Sequence, residues 1–232
     1  MRKCVSYCMT RNIYPQILPS LKSLLANNDI DTVYLITEDD DIGIWMPDNV
    51  KIINVSDQQW FKPNSPNYYS RFTYMVMIRM ALPFILNEED RVLSLDLDTI
   101  IQTNIEELWD LNMDDKYVAG CTETNLSRQK GYSYINCGVM MMNLAKMRDG
   151  MAERIIKLLN ERRYLYNEQD CMNEEVSEEN KLILPSAFNY GFFNKDQTCV
   201  PAILHYAAFG KRFMEQANVQ QWKAKDWGEI LK

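Results

Sequence analysis

The chain has 232 residues, with 25 Lys and Arg against 32 Asp and Glu, for a formal net charge of −7. That length predicts one domain, and an apolar fraction of 47% with 25% charged residues is enough for a sizeable core and argues against a disordered chain. The acidic balance argues against a general nucleic-acid binder, which needs surplus Lys and Arg to replace counterions.

Ser6, Thr10 and Arg11 interrupt the opening residues, so the about 7–15 apolar residues of a signal peptide are not met. No stretch reaches the roughly 20 apolar residues of a membrane span. Cys4, Cys8, Cys121, Cys137, Cys171 and Cys199 are scattered without a CxxC pair. They read as buried thiols in a reducing cytoplasm. Residues 3–9 read as a first strand. Pro15 to Asn28 reads as a helix, with Ile17, Leu18, Leu21, Leu24 and Leu25 at helical spacing. Residues 32–37 and 50–55 are two more strands, and 57–70, rich in Asn, Pro and Ser, is a loop. Arg71 to Leu86 carries a helical pattern, with a bend expected near Pro83. Residues 91–98, RVLSLDLD, are the most strand-like run.

Further on, 117–121 and 133–144 read as strands. Lys146 to Arg163 reads as an amphipathic helix weakened at Gly150, and Glu168 to Val176 as a shorter one. Residues 182–184 and 202–207 read as extended, and 213–232 as a helical tail with Trp222 and Trp227. Strands alternating with helices predict a parallel sheet with helices on its faces.

The sharpest local feature is Asp96-Leu97-Asp98. Side chains alternate along a strand, so Asp96 and Asp98 are expected to point the same way. Two carboxylates at the carboxyl end of such a strand make an oxygen-rich site for Mg²⁺ or Mn²⁺, where open α/β sheets bind ligands. Read alone, the pattern also describes a strand ending in two solvated acids. Two chemistries use the pair. VLSLDLDT fits the string of haloacid-dehalogenase phosphatases, whose first Asp is a nucleophile. The pair equally suits nucleotide-sugar glycosyl transfer, where it holds a cation against the donor diphosphate. Position favours the second. A phosphatase nucleophile ends the first strand of its domain, whereas about three strand-like runs precede Asp96, and no late GDxxxD motif is present.

RVLSLDLD followed by TNIEELWDL, with YINCGVMMMNL, NEQDCMN and HYAAFGKRF further on, resembles the retaining glycosyltransferases of family 8. That group contains glycogenins and bacterial lipopolysaccharide galactosyl- and glucosyltransferases. The resemblance runs from about residue 3 to about 213, nearly the whole chain. It implies a GT-A-type α/β fold, with a mainly parallel central sheet flanked by helices and a Rossmann-like N-terminal half. One domain over 1–232 is expected: a nucleotide-binding half over about 1–100, a donor-sugar and acceptor half over about 101–212, and the tail 213–232. The implied activity moves a hexose from a UDP-sugar to an acceptor hydroxyl, with Mn²⁺, or Mg²⁺ in its place, as cofactor.

The resemblance also implies roles for particular residues. Cys8, Thr10 and Asn12 would cradle uridine, with Tyr14 stacking on uracil, although Arg11 departs from the acidic or amide residues common there. Arg79, in RMALP, would meet the donor phosphates or sugar. Asp96 and Asp98 would bind the metal with His205, the only histidine in the chain, and Leu97 between the two acids would lie against the donor. Glu123 and Asn136 would contact the sugar, and Gly138 would let backbone approach closely. Gln169 would lie near the anomeric carbon with Asp170 orienting the donor, and Glu168 stands where Asp is commoner. Gly210 and Lys211 follow the histidine, and Lys211 would hold the departing β-phosphate. KRF replaces the usual KPW here.

Plainer readings stand beside these. Asn136-Cys137-Gly138 also reads as a turn in a buried strand, Asn167 and Asp170 as a polar helix start, and His205 as a core histidine. Gln169, an amide, is a poor nucleophile, so the family chemistry implies front-side transfer. A non-catalytic nucleotide-sugar or glycan binder and a self-glycosylating protein remain as alternatives. The implied acceptor is a glycan or a lipid-linked saccharide. The tail mixes Lys211, Arg212, Lys223, Lys225 and Lys232 with Glu215, Asp226 and Glu229. That near-neutral balance suggests at most a weak membrane-surface contact, and the plainer expectation is that its tryptophans pack on the domain.

Overall fold

Runs of Val, Ile, Leu and Cys pair as strands in the computed structural model, which describes residues 1–70, 72–194, 198–208 and 210–231, without the side chain of Lys211. Among the described residues the strands are β1 (Cys4–Cys8), β2 (Thr32–Thr37), β3 (Val50–Asn54), β4 (Arg91–Leu95), β5 (Thr99–Ile101), β6 (Val118–Thr122), β7 (Ile135–Asn143), β8 (Lys181–Ile183) and β9 (Ile203–His205). Seven form one sheet in the order β3-β2-β1-β4-β7-β6-β8, and β5 pairs with β9 in a small ribbon. Within the sheet only β7 runs against its neighbours β4 and β6; the other pairings are parallel. The mainly parallel sheet expected from the sequence is the one found.

Both β2 and β7 are buried along their whole length, as interior strands covered on two faces must be. Alternate residues feed two apolar layers. Cys4, Tyr34 and Ile36 face one layer with Met77, Ile78, Ile155 and Leu159. Val5, Tyr7, Val33 and Leu35 face the other with Ile17, Leu21 and Leu24 of the helix Ile17–Asn27. Cys4, Cys121, Cys137 and Cys171 are buried, as expected of structural thiols.

Three expected elements differ. The segment Arg71 to Leu86, expected as a helix with a bend near Pro83, divides into Tyr74–Ile78, a tight turn at Arg79–Ala81, and Leu82–Ile85. Pro83 has no N–H to donate and its ring crowds the carbonyl four residues earlier, that of Arg79. Lys146 to Arg163 splits into Leu144–Met147 and Met151–Glu161 because Gly150 takes φ +111°, a conformation that favours glycine. The run 91–98 stops at Leu95, and the chain turns through Asp96, Leu97 and Asp98 into β5, a strand the sequence did not announce. Strand alternation therefore cannot be what brings Asp96 and Asp98 together.

In the tail, Ala217–Ala224 and Trp227–Ile230 dock on the helix Ile17–Asn27. Lys22 Nζ donates to the carbonyls of Lys223 and Lys225 at 2.9 and 2.5 Å. Trp222 packs with Ile100, Phe213 and Val219, and Trp227 meets Trp45 edge-on with centroids 5.8 Å apart. Both tail tryptophans thus pack on the protein. Among the described residues no helix is long and apolar enough to cross a membrane.

Candidate active site

The turn after β4 is pinned at both ends. Asp96 N donates to the Gly138 carbonyl at 2.7 Å, extending the β4–β7 ladder by one bond. Thr99 Oγ1 donates to the Asp96 carbonyl at 2.9 Å. Pairing of β5 with β9 sets Thr99 opposite His205, so the ribbon delivers the imidazole to the turn. His205 Nε2 lies 3.3 Å from Asp98 Oδ1 and 3.6 Å from Asp96 Oδ2. One ligand atom from each of Asp96, Asp98 and His205 lies within 4.8 Å of the others.

Gly138 makes this convergence sterically feasible. A Cβ there would stand 2.1 Å from His205 Cε1 and 2.8 Å from Asp96 Oδ2. The resemblance implies that Gly138 lets backbone approach closely; here the space it leaves is taken by the protein's own imidazole and carboxylate.

Arg79 sits in the tight turn forced by Pro83 and is 4% exposed. It pairs with Asp96, donates to the Cys137 carbonyl, and places Nε 3.4 Å from Glu168 Oε1. Burial works against the charge on Asp96, but Arg79 and then His205 outweigh it and hold the carboxyl below its usual range. Burial opposes the charge on His205 as well, yet Asp98 and Asp96 outweigh it and raise its basicity. Burial pushes the Glu168 carboxyl up to about 7 against the pull of Arg79. The donor set, two carboxylates and one imidazole nitrogen, fits a hard or borderline divalent cation such as Mn²⁺ or Mg²⁺. His205 Nδ1, 2.8 Å from Asn189 Oδ1, is already engaged behind the ring, as ligating histidines usually are.

Beside this cluster a pocket of ≈ 490 Å³ opens. Arg79, Asp96, Asp98, Glu123, Asn136, Gly138, Glu168, Gln169 and His205 line it, with Phe72, Tyr166, Phe192 and Phe193 among its apolar surfaces. Glu123 Oε1 accepts from Asn136 Nδ2 at 2.7 Å and from Gln169 Nε2 at 2.9 Å. The structure therefore gathers Arg79, Asp96, Asp98, Glu123, Asn136, Gly138, Gln169 and His205 from distant parts of the chain.

Other expected residues lie elsewhere. Asp170 is 5% exposed and accepts from Tyr134 Oη at 2.7 Å and from Tyr166 N at 2.8 Å. It braces the start of the helix Asn167–Glu175 rather than facing the pocket. Asn167, at φ +43°, does not cap that helix; its amide donates to Ser70 Oγ at 2.8 Å. Tyr14 is 5% exposed, with its ring in the core and its hydroxyl donating to Asp39 Oδ2 and accepting from Glu38 N, both at 3.0 Å. A ring enclosed in that way has no face for a base to stack on, which corrects the stacking expectation.

Thr10 Oγ1 donates to Asn12 Oδ1 at 2.7 Å at the surface. Arg11 forks onto Asp39 at 2.8 and 2.6 Å. Cys8, half-buried at the end of β1, has its thiol pushed up to about 12 by burial, with Arg79 opposing. Leu97 packs into the core from the turn. Cys8, Leu97, Thr10, Asn12 and Tyr14 do not line the pocket. Gly210, at φ +55°, opens the short helix Gly210–Glu215, and the side chain of Lys211 lies outside the described residues. Sequence reasoning missed Asn189, Phe72, Tyr166, Phe192 and Phe193. Nothing in their local pattern sets them apart from ordinary loop residues.

Comparison with known proteins gives a consistent result. The family described as Glycosyl transferase family 8 matches residues 4–211. The glycosyltransferase GlyD of Streptococcus pneumoniae serotype 4 is 24% identical over 265 aligned positions, which take in 100% of this chain and 32% of that protein. Among solved structures, the glycosyltransferase GlyE of Streptococcus pneumoniae TIGR4 matches with a TM-score of 0.74 at 19% identity, over 100% of this chain and 62% of that one. The galactosyltransferase LgtC, solved with donor and acceptor sugar analogues, matches with a TM-score of 0.67 at 18% identity, over 98% of this chain and 100% of that one. The chain spans about a third of the length of the curated relatives it matches.

Proposed function

The chain belongs to glycosyltransferase family 8 and has the GT-A-type α/β fold of its structural relatives, and on that premise we propose that it transfers a hexose, with retention, from a UDP-sugar to a saccharide hydroxyl. The observation that carries this reading is the convergence of Asp96, Asp98 and His205 at a pocket walled by amides and a carboxylate. Those three residues would hold a divalent cation, Mn²⁺ or Mg²⁺, which would supply Lewis-acid stabilisation of charge on the departing diphosphate.

Arg79 adds a fixed positive charge beside Asp96, and Glu168 holds its other side. Lys211 is assigned to the β-phosphate. Uridine is assigned to the surface beyond Cys8, Thr10 and Asn12, where Arg11 and Asp39 now pair. Glu123, Asn136 and Gln169 face the sugar, and one carboxylate with two amides matches hydroxyls that both donate and accept. Gln169 is too weak a nucleophile for a covalent intermediate, and Glu168 is held by Arg79. The acceptor hydroxyl therefore attacks the anomeric carbon on the face that the diphosphate leaves. The bond from that carbon to the phosphate oxygen breaks, the new glycosidic bond forms, and the acceptor's proton passes to the departing oxygen.

The acceptor, a glycan or lipid-linked saccharide, enters past Phe192, which is 68% exposed at the pocket mouth. An open aromatic ring in a pocket that Asn125 also lines suits the C–H face and hydroxyls of a pyranose better than a lipid tail, which needs a continuous apolar groove. The buried thiols suit a reducing cytoplasm.

Calorimetric titration of UDP with and without Mn²⁺, on the wild type and on Asp96→Asn, tests the reading. Binding that requires Mn²⁺ and disappears in the variant supports it. No UDP binding with Mn²⁺ present sinks it. A trapped glycosyl-enzyme adduct would replace front-side transfer with double displacement.

A further inference from the structure

We propose that Asn189 is a positioning residue that fixes the tautomer of His205 and, through the same amide, the orientation of Asn136, so that the cation ligands and the sugar-facing wall are set together. The proposal rests on reading Asp96, Asp98 and His205 as a cation site.

The argument starts from a group whose polarity is not in question. A backbone N–H only donates. Gly138 N donates to Asn136 Oδ1 at 2.9 Å, which identifies the oxygen of that amide. Asn189 approaches the same oxygen at 3.0 Å, so the atom it presents is its NH₂ group. Its own oxygen must then face His205 Nδ1 at 2.8 Å. An oxygen facing a ring nitrogen requires a hydrogen on that nitrogen, so Nδ1 carries it. In the neutral ring, Nε2 then turns its lone pair toward Asp98 and Asp96. A lone pair aimed at two carboxylates is repulsive by itself and favourable around a cation.

The other end is set the same way. Cys137 N donates to Gln169 Oε1 at 2.9 Å, which turns the Gln169 NH₂ toward Glu123. Two successive backbone N–H groups of β7 thereby dictate the polarity of four side chains, Asn136, Asn189, His205 and Gln169. Asn189 is the one that joins the imidazole to the rest. It is fully buried, and its backbone carbonyl accepts from Asn194 Nδ2 at 2.5 Å. A satisfied buried network of this kind resists rotation of any single member.

His205 is the only histidine in the chain, so its ring nitrogens can be read by ¹⁵N–¹H correlation without assignment. The metal-free protein, at a pH where the ring is neutral, is expected to show the Nδ1–H form. Asn189→Ala is expected to lose that preference and to weaken Mn²⁺ binding, measured without nucleotide, by about 10–100-fold. Asn189→Asp keeps an acceptor for Nδ1–H but sets a second oxygen against Asn136 Oδ1. It is expected to retain the tautomer and Mn²⁺ binding, and to lose the extra affinity for a UDP-hexose over UDP.

The Nε2–H form in the wild type overturns the proposal, as does an Asn189→Ala protein with tautomer and Mn²⁺ affinity unchanged. If Asn189→Ala does not fold, Asn189→Asp decides. Loss of the Nδ1–H form in that folded variant overturns the proposal, and its retention with impaired hexose recognition supports it. A wild type whose Nδ1–H form is lost in Asn189→Ala, but which binds no Mn²⁺, supports the positioning role and overturns the cation reading instead.

Discussion

At the end of the site proposed for the sugar, Asn136, Asn189 and His205 are at most 6% exposed, and the two amides and His205 Nδ1 are bonded in one network. On the surface proposed for the nucleotide, outside the pocket lining, Thr10 bonds Asn12, Arg11 forks onto Asp39, and Tyr74 Oη donates to Glu38 at 3.1 Å, all at or near the surface. Burial explains the contrast. A buried polar group without a partner costs about 1–3 kcal/mol, so the sugar end has to be complete before a donor arrives. Exposed ion pairs contribute about 0–1 kcal/mol, so a nucleotide can exchange the pairs at its end at little cost. One end is preorganised and the other is replaceable.

The largest effect should come from Gly138→Ala, which tests whether the sugar end is as rigid as its bonding implies. The new Cβ would meet the His205 ring at 2.1 Å. The variant should lose Mn²⁺ binding and about 1–3 kcal/mol of stability, read by calorimetry and urea unfolding. An unchanged variant would mean that the imidazole moves freely.

Glu168→Gln comes next. The Glu168 carboxyl is raised from 4.5 to about 7 by burial. Its favourable contribution is complete below its unfolded value and is lost as pH rises through the folded one, because the unfolded chain releases the proton first. The wild type should therefore lose on the order of 2 kcal/mol more than the Gln variant between about pH 4.5 and 7. Urea unfolding of both proteins across that window measures the difference.

Phe192→Ala should raise the acceptor KM by about three- to tenfold, the worth of one aromatic contact, with UDP affinity unchanged. Equal loss of donor affinity would place the ring on the donor side. The smallest effect belongs to Arg11→Ala. The unfolding temperature should stay nearly unchanged, since Arg11 is exposed and its pair with Asp39 is screened. A larger loss would show that the nucleotide end is not replaceable after all.

Some of the site was readable in advance. Asp96 and Asp98 stood out because two acids closing an apolar run are conspicuous, and His205 because it is alone of its kind. Strand alternation predicts that the two acids meet, but the chain leaves the strand at Leu95. A turn braced by Thr99 and Gly138 gathers them, not the pleat of a strand. Tyr14 illustrates the opposite failure. An aromatic residue after a first strand resembles a stacking platform, and only the packing around Ile17, with Asp39 and Glu38 on the hydroxyl, shows that the ring is enclosed. Asp170 fails likewise, because Tyr134, distant in the chain, claims its carboxylate.

By itself the sequence determined the alternation of strands and helices, the mainly parallel sheet, the acids and the histidine. Hydrophobic period and residue type are properties of near neighbours, and near neighbours are what a sequence displays. Tertiary structure alone decided which amide stands behind the imidazole, which way it points, and which aromatic rings face the pocket. Asn189 lies 16 residues from His205 and 53 from Asn136. Partners so far apart are chosen by the sheet order and the β5–β9 ribbon, and their polarity by backbone N–H groups that no side-chain pattern reveals.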